Sequence, residues 1–593
     1  MPVRDVVAWN SMLTGYSQLC LQREALSFFQ QMRASNTRPD HFTFTATLSL
    51  CAGAGLLWDG AKLHAQVVVS GYHSSLPVNN SLIDMYGKCW RPFCAGKVFE
   101  DMSEANDVSW CSLLFAYTNC GQFDVASEVF SLMPRKIDVA WNTMISGLGR
   151  CGQIERCLDL FKEMRNSLCE PDQWTYSALM NACTESLEFF YGCMVHAIVT
   201  KSGWICAVEA SNSLLSFYAK FGSIIDATNV FKSTGMQSQF SWNAIIDAYM
   251  QVGEIHEAFI TFQNMPEKNV VSWTSMIAGY TRHGYGEEAL GFFIGMMRNC
   301  LLPDECAFGA VLHTCSNLAV LGHGRMFHGC IIHYGFHAYA YVGNGLVNMY
   351  AKCGDIDRSI LAFNDIFEKD LVSFNAMLFA FGLHGKAKQA LQLYEDMVAS
   401  GTDPDKVTFV GLLMTCSHSG LVEKGRAFFE SMSSIYGLSY ETDHVACMVD
   451  MLGRSGFLAE AKELAIKYCK ADEVQASSCE ALLGACYSHG ELRIGNYLGE
   501  ALNVLQPYKE TSYVLRSNLY CTSGQWKEAE MLRKAMVDEG LKKMPGCSWI
   551  EVNNKVTAFV AGNHSHPTME DLCRILHFLD SGISYSSFCH FEN

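Results

Sequence analysis

The sequence predicts an all-α protein, an α-solenoid of helix-turn-helix repeats, on three observations. Trp9, Trp141 and Trp273 are spaced by 132 residues, and so are Pro39, Pro171 and Pro303, Cys51, Cys183 and Cys315, and His64, His196 and His328. A finer phase runs through Asn10, Thr45, Asn80, Cys111 and Asn142, at steps of 35, 35, 31 and 31. Within a unit, apolar residues fall at i, i+3, i+4 and i+7, as in Trp9, Met12, Leu13 and Tyr16 and again in Ala25, Phe28, Phe29 and Met32. Internal periodicity of this kind marks a stacked array.

Each element follows from local chemistry. The two apolar stripes predict two short amphipathic helices per unit, separated by turns such as KCGDID (352–357) and RCGQIE (150–155). Pro39 and its counterparts end the second helix, since proline lacks the N–H donor and clashes with the preceding turn. One such pair cannot bury its apolar faces alone, so neighbouring pairs must stack.

Composition narrows the class. At 593 residues the chain exceeds one ordinary core, which requires several domains or an extended array. A hydrophobic content of 49% excludes a disordered chain. No apolar run is long enough to span a membrane. With 43 basic and 60 acidic residues the net charge is −17, so a uniformly basic nucleic-acid surface is excluded while a locally favourable groove is not. The 26 cysteines include no C-x-x-C pair, and most sit in apolar helical patterns, which predicts buried, reduced thiols. His323, His328, His333 and His337 have the look of a metal cluster, but His328 shares the phase of His64 and His196 and reads as structural. No P-loop, G-x-S-x-G elbow or dinucleotide fingerprint is present. An Arg- and Ser-rich, acid-poor leader is not seen at the start, so either the product stays where it is made or more sequence precedes it.

The stretches VVAWNSMLTGY…RPD, NSLIDMYGKC and VGNGLVNMYAKCGDID resemble the repeats of plant pentatricopeptide repeat proteins, and the alternating 35- and 31-residue units resemble their PLS subclass. The resemblance implies a right-handed superhelix and an array over 1–472. Its units are P 6–40, L 41–75, S 76–106, S 107–137, P 138–172, L 173–207, S 208–238, S 239–269, P 270–304, L 305–339, S 340–370 and P 371–405, and an L-like and an S-like unit follow to 472. It also implies that the fifth residue of each unit meets one RNA base, assisted by the last residue. An Asn amide both donates and accepts and an Asp carboxylate accepts, chemistry that suits base edges splayed from a single strand.

On that resemblance, Asn10/Asp40, Asn142/Asp172, Asn344/Asp370 and Asn375/Asp405 favour U. Asn80/Asn106, Asn212/Ser238 and Asn243/Asn269 lean to C or a pyrimidine, and Thr274/Asp304 to G. Thr45/Ser75, Ser177/Ala207, Gly309/Tyr339 and Cys111/Ile137 carry no readable preference. The implied target is U-n-C-n-U-n-C-Y-G-n-U-U, read 5′→3′. Asn and Asp at helix starts also serve as caps, and for Asp40 and its counterparts after proline the two roles are compatible. Asn10 and its counterparts lie inside the first helix, where Asn is a poor helix former, so a lined groove is the stronger reading for them.

The C-terminal region, 473–544, resembles the E1 and E2 motifs of organellar RNA-editing factors, helix pairs of tetratricopeptide type. Residues 545–567 resemble the PG-box opening of a cytidine-deaminase (DYW) domain, and a divergent tail covers 568–593. The deaminase requires H-x-E with C-x-x-C to hold zinc. His489, Gly490 and Glu491 match H-x-E by letter, but no C-x-x-C accompanies them, so no catalytic residue, metal or cofactor is assigned. The resemblance implies a non-enzymatic, site-selecting factor for C-to-U editing. It would bind single-stranded mitochondrial or chloroplast RNA and rely on a DYW-type deaminase in trans and small organellar editing cofactors. The rival readings are a splicing or stability factor, and a protein-binding scaffold; a constant 34-residue period would favour the scaffold.

Overall fold

The computed structural model describes residues 5–18, 22–35, 37–235, 237–468, 472–507, 509–543, 546–552, 555–560 and 574–575. The chain divides into two compact bodies, 1–279 and 280–593. The described residues form 32 α-helices, one 3-10 turn and a two-stranded sheet. In each body the helices pair. Each first helix packs on its own second helix and on the first helices of the neighbouring pairs, so the first helices form a continuous row, and each second helix also packs on the first helix of the next pair.

The contacts between pairs explain the recurring aromatic residue at the fourth position. Trp110 meets Phe99, Trp141 meets Phe130, Trp242 meets Phe231 and Trp273 meets Phe262, edge to face at 4.7–4.9 Å between centroids. Phe374 repeats the contact with Phe363. In each case the first helix of one unit locks onto the second helix of the unit before it. Edge-to-face pairs of this kind add about 0.5–1.5 kcal/mol beyond their burial. Lys136, Lys268 and Lys369 lie over these rings, and the last two also donate to carbonyls at the end of the second helix.

First helices approach closely where a glycine faces an alanine. A Cβ on Gly87 would lie 2.8 Å from the Ala116 Cβ, and one on Gly149 2.6 Å from the Ala182 Cβ. Between the paired helices Gly152 and Gly354 turn in the left-handed region. Trp90 takes the corresponding place at φ 60, a strained position for a bulky residue.

The all-α solenoid class holds, with one local addition: β1 (Cys547–Val552) pairs antiparallel with β2 (Lys555–Val560) in the region that resembles the PG box. Residues 561–573 and 576–593, most of the divergent tail, lie outside the described residues. The cysteines are also less uniformly buried than their pattern predicts. Burial pushes the Cys51, Cys157, Cys183 and Cys447 thiols up to about 12, but Cys94, Cys151, Cys206, Cys300, Cys306 and Cys547 are exposed.

Candidate functional site

The row of first helices carries a repeated hydrogen-bonded triad. Asp40 is the N-cap of the helix His41–Ala54: its carboxylate accepts from the Thr43 N–H at 2.8 Å and from the Thr43 hydroxyl at 2.9 Å. Asn10, one unit back, donates through Nδ2 to the same Asp40 oxygen at 3.0 Å, and its own Oδ1 accepts from the Thr43 hydroxyl at 2.7 Å. The fifth and last residues of a unit are therefore joined through the cap of the next first helix. Asn375, Asp405 and Thr408 repeat the full arrangement. Asn80, Asn106 and Ser109 do the same with an amide in place of the carboxylate.

The other pairs vary the theme. Asn142 donates to Asp172 at 3.2 Å and Asn344 to Asp370 at 3.4 Å, each leaving its amide oxygen enclosed without a partner. Asn212 accepts from Ser241 at 2.7 Å and from Ser238 at 3.4 Å. Asn269 instead donates to Gln239, and the Asn243 oxygen is enclosed without a partner. Thr274 belongs to the first body and Asp304 to the second, where it caps the helix Glu305–Leu318. The fifth-position Asn residues are half-buried, except Asn375, which is only 6% exposed.

Three of the capping carboxylates, those of Asp40, Asp370 and Asp405, are held in the charged form. Burial works against the charge on Asp40, but the Thr43 N–H, the Asn10 amide and the Thr43 hydroxyl outweigh it and hold the carboxyl below its ordinary value. Asp370 and Asp405 are lowered in the same way by Ser373 with Asn344, and by Thr408 with Asn375.

Open clefts lie over the triads. One of about 740 Å³ is lined by Val7, Asn10, Thr14, Asp40, Phe42 and Thr45. A second of about 820 Å³ is lined by Val139, Asn142, Ser146, Arg150, Trp174 and Ser177 among others. In both, the triad is flanked by exposed apolar residues from the second position of successive units: Val7 and Phe42, Val139 and Trp174. Such a cleft offers a planar ligand two apolar walls and a polar edge.

Sequence reasoning missed three parts of this arrangement. The Ser or Thr three residues after the cap was legible as a [DN]-x-x-[ST] pattern. The exposed second-position residues were visible only as part of a hydrophobic face. The third part is a set of exposed cations at one register of the repeat, Lys88, Arg150 and Lys220 in the first body and Arg282 and Lys352 in the second, each eight residues after the fifth position and in the last turn of its helix. Arg150 lines the same cleft as Asn142.

The three phase-locked histidines each face a tyrosine of the following unit. His64, His196 and His328 sit 2.9, 2.7 and 2.8 Å through Nδ1 from the hydroxyls of Tyr86, Tyr218 and Tyr350. His489 of the H-x-E letters lies 3.1 Å from the Arg454 carbonyl. Among the described residues no group of three or more His, Cys, Asp or Glu side chains is placed to hold a metal, and no helix is long and apolar enough to cross a membrane.

Comparison with known proteins gives consistent matches. Residues 4–53, 138–185 and 369–418 match the PPR repeat family, 80–106, 108–136, 240–270 and 271–301 match the PPR repeat, and 489–551 match the E motif. The chain is 55% identical to the Arabidopsis thaliana pentatricopeptide repeat-containing protein At2g36980, mitochondrial, over 98% of this chain and 93% of the relative. It is 37% identical to At2g13600 of the same organism, over 94% of this chain and 76% of that one. The crystal structure of the pentatricopeptide repeat protein PPR10 in complex with an 18-nt psaJ RNA element superposes with a TM-score of 0.56, at 19% identity over 90% of this chain and 84% of that one. The chain thus belongs to the pentatricopeptide repeat family and carries an E motif near its C-terminus.

Proposed function

We propose that this protein is a sequence-specific single-stranded RNA-binding factor of mitochondrial or chloroplast transcripts that selects a cytidine for C-to-U editing by a deaminase supplied in trans. The observation that carries the RNA-binding reading is the triad row. Each tethered Asn presents a fixed amide beside its cap, and at Asn10 and Asn142 the amide lies between two apolar walls that fit the faces of a base. The exposed cations at this register answer the net charge of −17, since phosphates follow the local field rather than the sum. Their partners are weak, exposed ones: Lys88 pairs with Asp84 and Lys220 with Glu185. Relatives whose names place them in mitochondria or chloroplasts support the organelle. The E motif supports recruitment of a deaminase and small editing cofactors. Asn10/Asp40, Asn142/Asp172, Asn344/Asp370 and Asn375/Asp405 would select U, and Thr274/Asp304 would select G.

Binding of the full chain to U-n-C-n-U-n-C-Y-G-n-U-U RNA, with each decoded base changed in turn, tests recognition. Tight binding lost on changing the U opposite Asn142 supports it, and indifference to the G opposite Thr274 counts against it. Organelle transcripts of a plant lacking the protein test the biochemical role. One lost C-to-U event supports editing; altered intron removal or transcript loss with every edit intact overturns it.

A further inference from the structure

Two units carry the same fifth and last residues, Asn80 with Asn106 and Asn243 with Asn269, yet the side chains connect differently. In the first, Asn80 donates to Asn106 at 3.3 Å and accepts from the Ser109 hydroxyl at 2.6 Å. Both ends of the Asn80 amide are held, so its donor and its acceptor keep fixed places. In the second, the Ser272 hydroxyl turns back to the Asn269 carbonyl at 2.7 Å, and the Asn269 amide donates to Gln239 Oε1 at 3.2 Å. Asn269 still accepts from the Ser272 N–H at 2.9 Å, so the cap itself survives. The Asn243 oxygen, which the cap hydroxyl meets in the other unit's geometry, is enclosed without a partner.

Gln239 accounts for the difference. It is the first residue of its unit and of the helix Gln239–Val252, four residues before Asn243. Residues four apart share one helix face, so the first-position side chain is the neighbour best placed to compete for the next cap. In the other Asn units that residue is Val6, Leu76, Val208, Ala340 or Leu371, none of which has a side-chain acceptor. The remaining case is Asp138, whose carboxylate accepts from the Val139 N–H, and the cap beyond it is Asp172, a carboxylate with no proton to give. Gln239 alone among them combines the reach, the acceptor and an amide to capture. The consequence bears on the base. Cytosine presents an acceptor at N3 where uracil presents an N–H. A locked amide suits one of them, whereas an amide whose oxygen nothing holds can turn over and suit either.

We propose that Gln239 is a specificity-determining residue: by taking the Asn269 amide it releases Asn243, so the eighth nucleotide of the twelve-base target is accepted as C or U alike, while the tethered Asn80 holds the third to C. The assignment rests on the RNA-binding reading above and adds to it a residue outside the fifth and last positions. Fluorescence titration of the full chain tests it, against twelve-base RNAs with C or U at the third nucleotide and, separately, at the eighth. The parent should prefer C about fivefold at the third and bind the two bases within about twofold at the eighth. Gln239→Val, which copies the first residue of the Asn212 unit, should bring about a fivefold preference for C at the eighth and leave the third unchanged. Gln239→Glu keeps an acceptor for the Asn269 amide and should leave the eighth nucleotide degenerate. Each result is a ratio between two RNAs, so a change in overall affinity cancels, and the third nucleotide reports whether a variant still folds and reads. A parent preference at the eighth nucleotide equal to that at the third overturns the release of Asn243. A Gln239→Val protein that discriminates at the third and stays degenerate at the eighth overturns Gln239 as its cause. Indifference of the parent at the third overturns the contrast between the two units. If the target then binds no better than a scrambled RNA, the RNA-binding reading falls with it.

Discussion

The Asn-bearing P and S units and the L units at 41–75, 173–207 and 305–339 share one helix pair, and differ in what holds the fifth side chain. Asn10 and Asn375 are tied to the cap of the next helix, which orients the amide, and beside Asn10 the cleft is open. In the L units the corresponding position is spent inside the protein. Thr45 bonds back to the Phe42 carbonyl at 2.9 Å. Ser177 lies 2.6 Å from Ser213, which itself donates to the Glu209 carbonyl, so Ser177 is the donor. Gly309 is covered by Tyr341. The L units invest instead in their junction with the following S unit, where each has a His–Tyr hydrogen bond that no Asn unit shows among the described residues. L units are joints; Asn units present a surface.

On that division, the largest stability effect comes from the joint. Gly192 faces the fully buried Phe217 ring, and an added Cβ would run into it; Gly60 and Gly324 hold the same place against Met85 and Met349. Gly192→Ala should cost about 2–3 kcal/mol in chemical denaturation, because a ring cannot bend away. Gly60→Ala and Gly324→Ala should cost below about 1 kcal/mol, since a methionine can adjust. Equal costs at the three sites would break the comparison.

The Asn units should respond in ligand binding. Asn142→Ala is expected to weaken binding of the U-containing target roughly tenfold, about 1.4 kcal/mol, with little change in melting temperature. Next in size is the cap. Asp172→Ala removes the acceptor of the Thr175 N–H and should cost about 1 kcal/mol of stability. Asp172→Asn keeps a capping acceptor, and should keep stability while shifting the preferred base from U towards C, as the Asn80/Asn106 pair implies. A variant that lost stability and selectivity together would merge the two roles.

The His–Tyr joints give a pH test of comparable size. Tyr218→Phe leaves a half-buried imidazole nitrogen unpaired, and should cost about 1 kcal/mol. Burial holds His64, His196 and His328 below the ordinary imidazole value, against the opposing pull of Asp101, Asp226 and Asp365. The unfolded chain therefore takes up protons first. The contribution is fully present above the unfolded value of about 6.5 and is lost as pH falls through it towards the folded values. Melting followed from pH 7.5 to 5 should show a slope that a His64→Gln, His196→Gln, His328→Gln triple variant reduces. An unchanged slope would mean that other groups set it.

Much of this was legible in the sequence, for physical reasons. Period and amphipathic spacing are local properties, so the helix pairs around Trp9 or Trp273 could be read directly. The phase of Asn10, Asn142 and Asn375 was visible because a repeat makes one residue's place comparable with another's. What escaped depended on contacts between units. Thr43 and Thr408 looked like ordinary helix residues until the cap drew Asn10 and Asn375 onto them. The His phase was seen, but not its tyrosine 22 residues onward, because nothing in one unit predicts which face the next presents. The β1–β2 pair was hidden behind a helical context, although the alternation in CSWIEV and KVTAFV carries the period of a strand.

The smallest expected effect is also the sharpest check on the division. Ser177→Ala deletes a fifth-position hydroxyl that a formal reading by position would treat like Asn142. Its hydrogen-bond partner, Ser213, keeps its own bond to the Glu209 carbonyl. The loss should therefore stay within about 0.5 kcal/mol in stability, and RNA affinity should not move for any base at the sixth nucleotide. The same substitution at Asn142, in the neighbouring unit and lining the same cleft, is expected to matter. If Ser177→Ala instead altered base preference, L units would be readers, and the tether to the next cap would not be what defines a reading position.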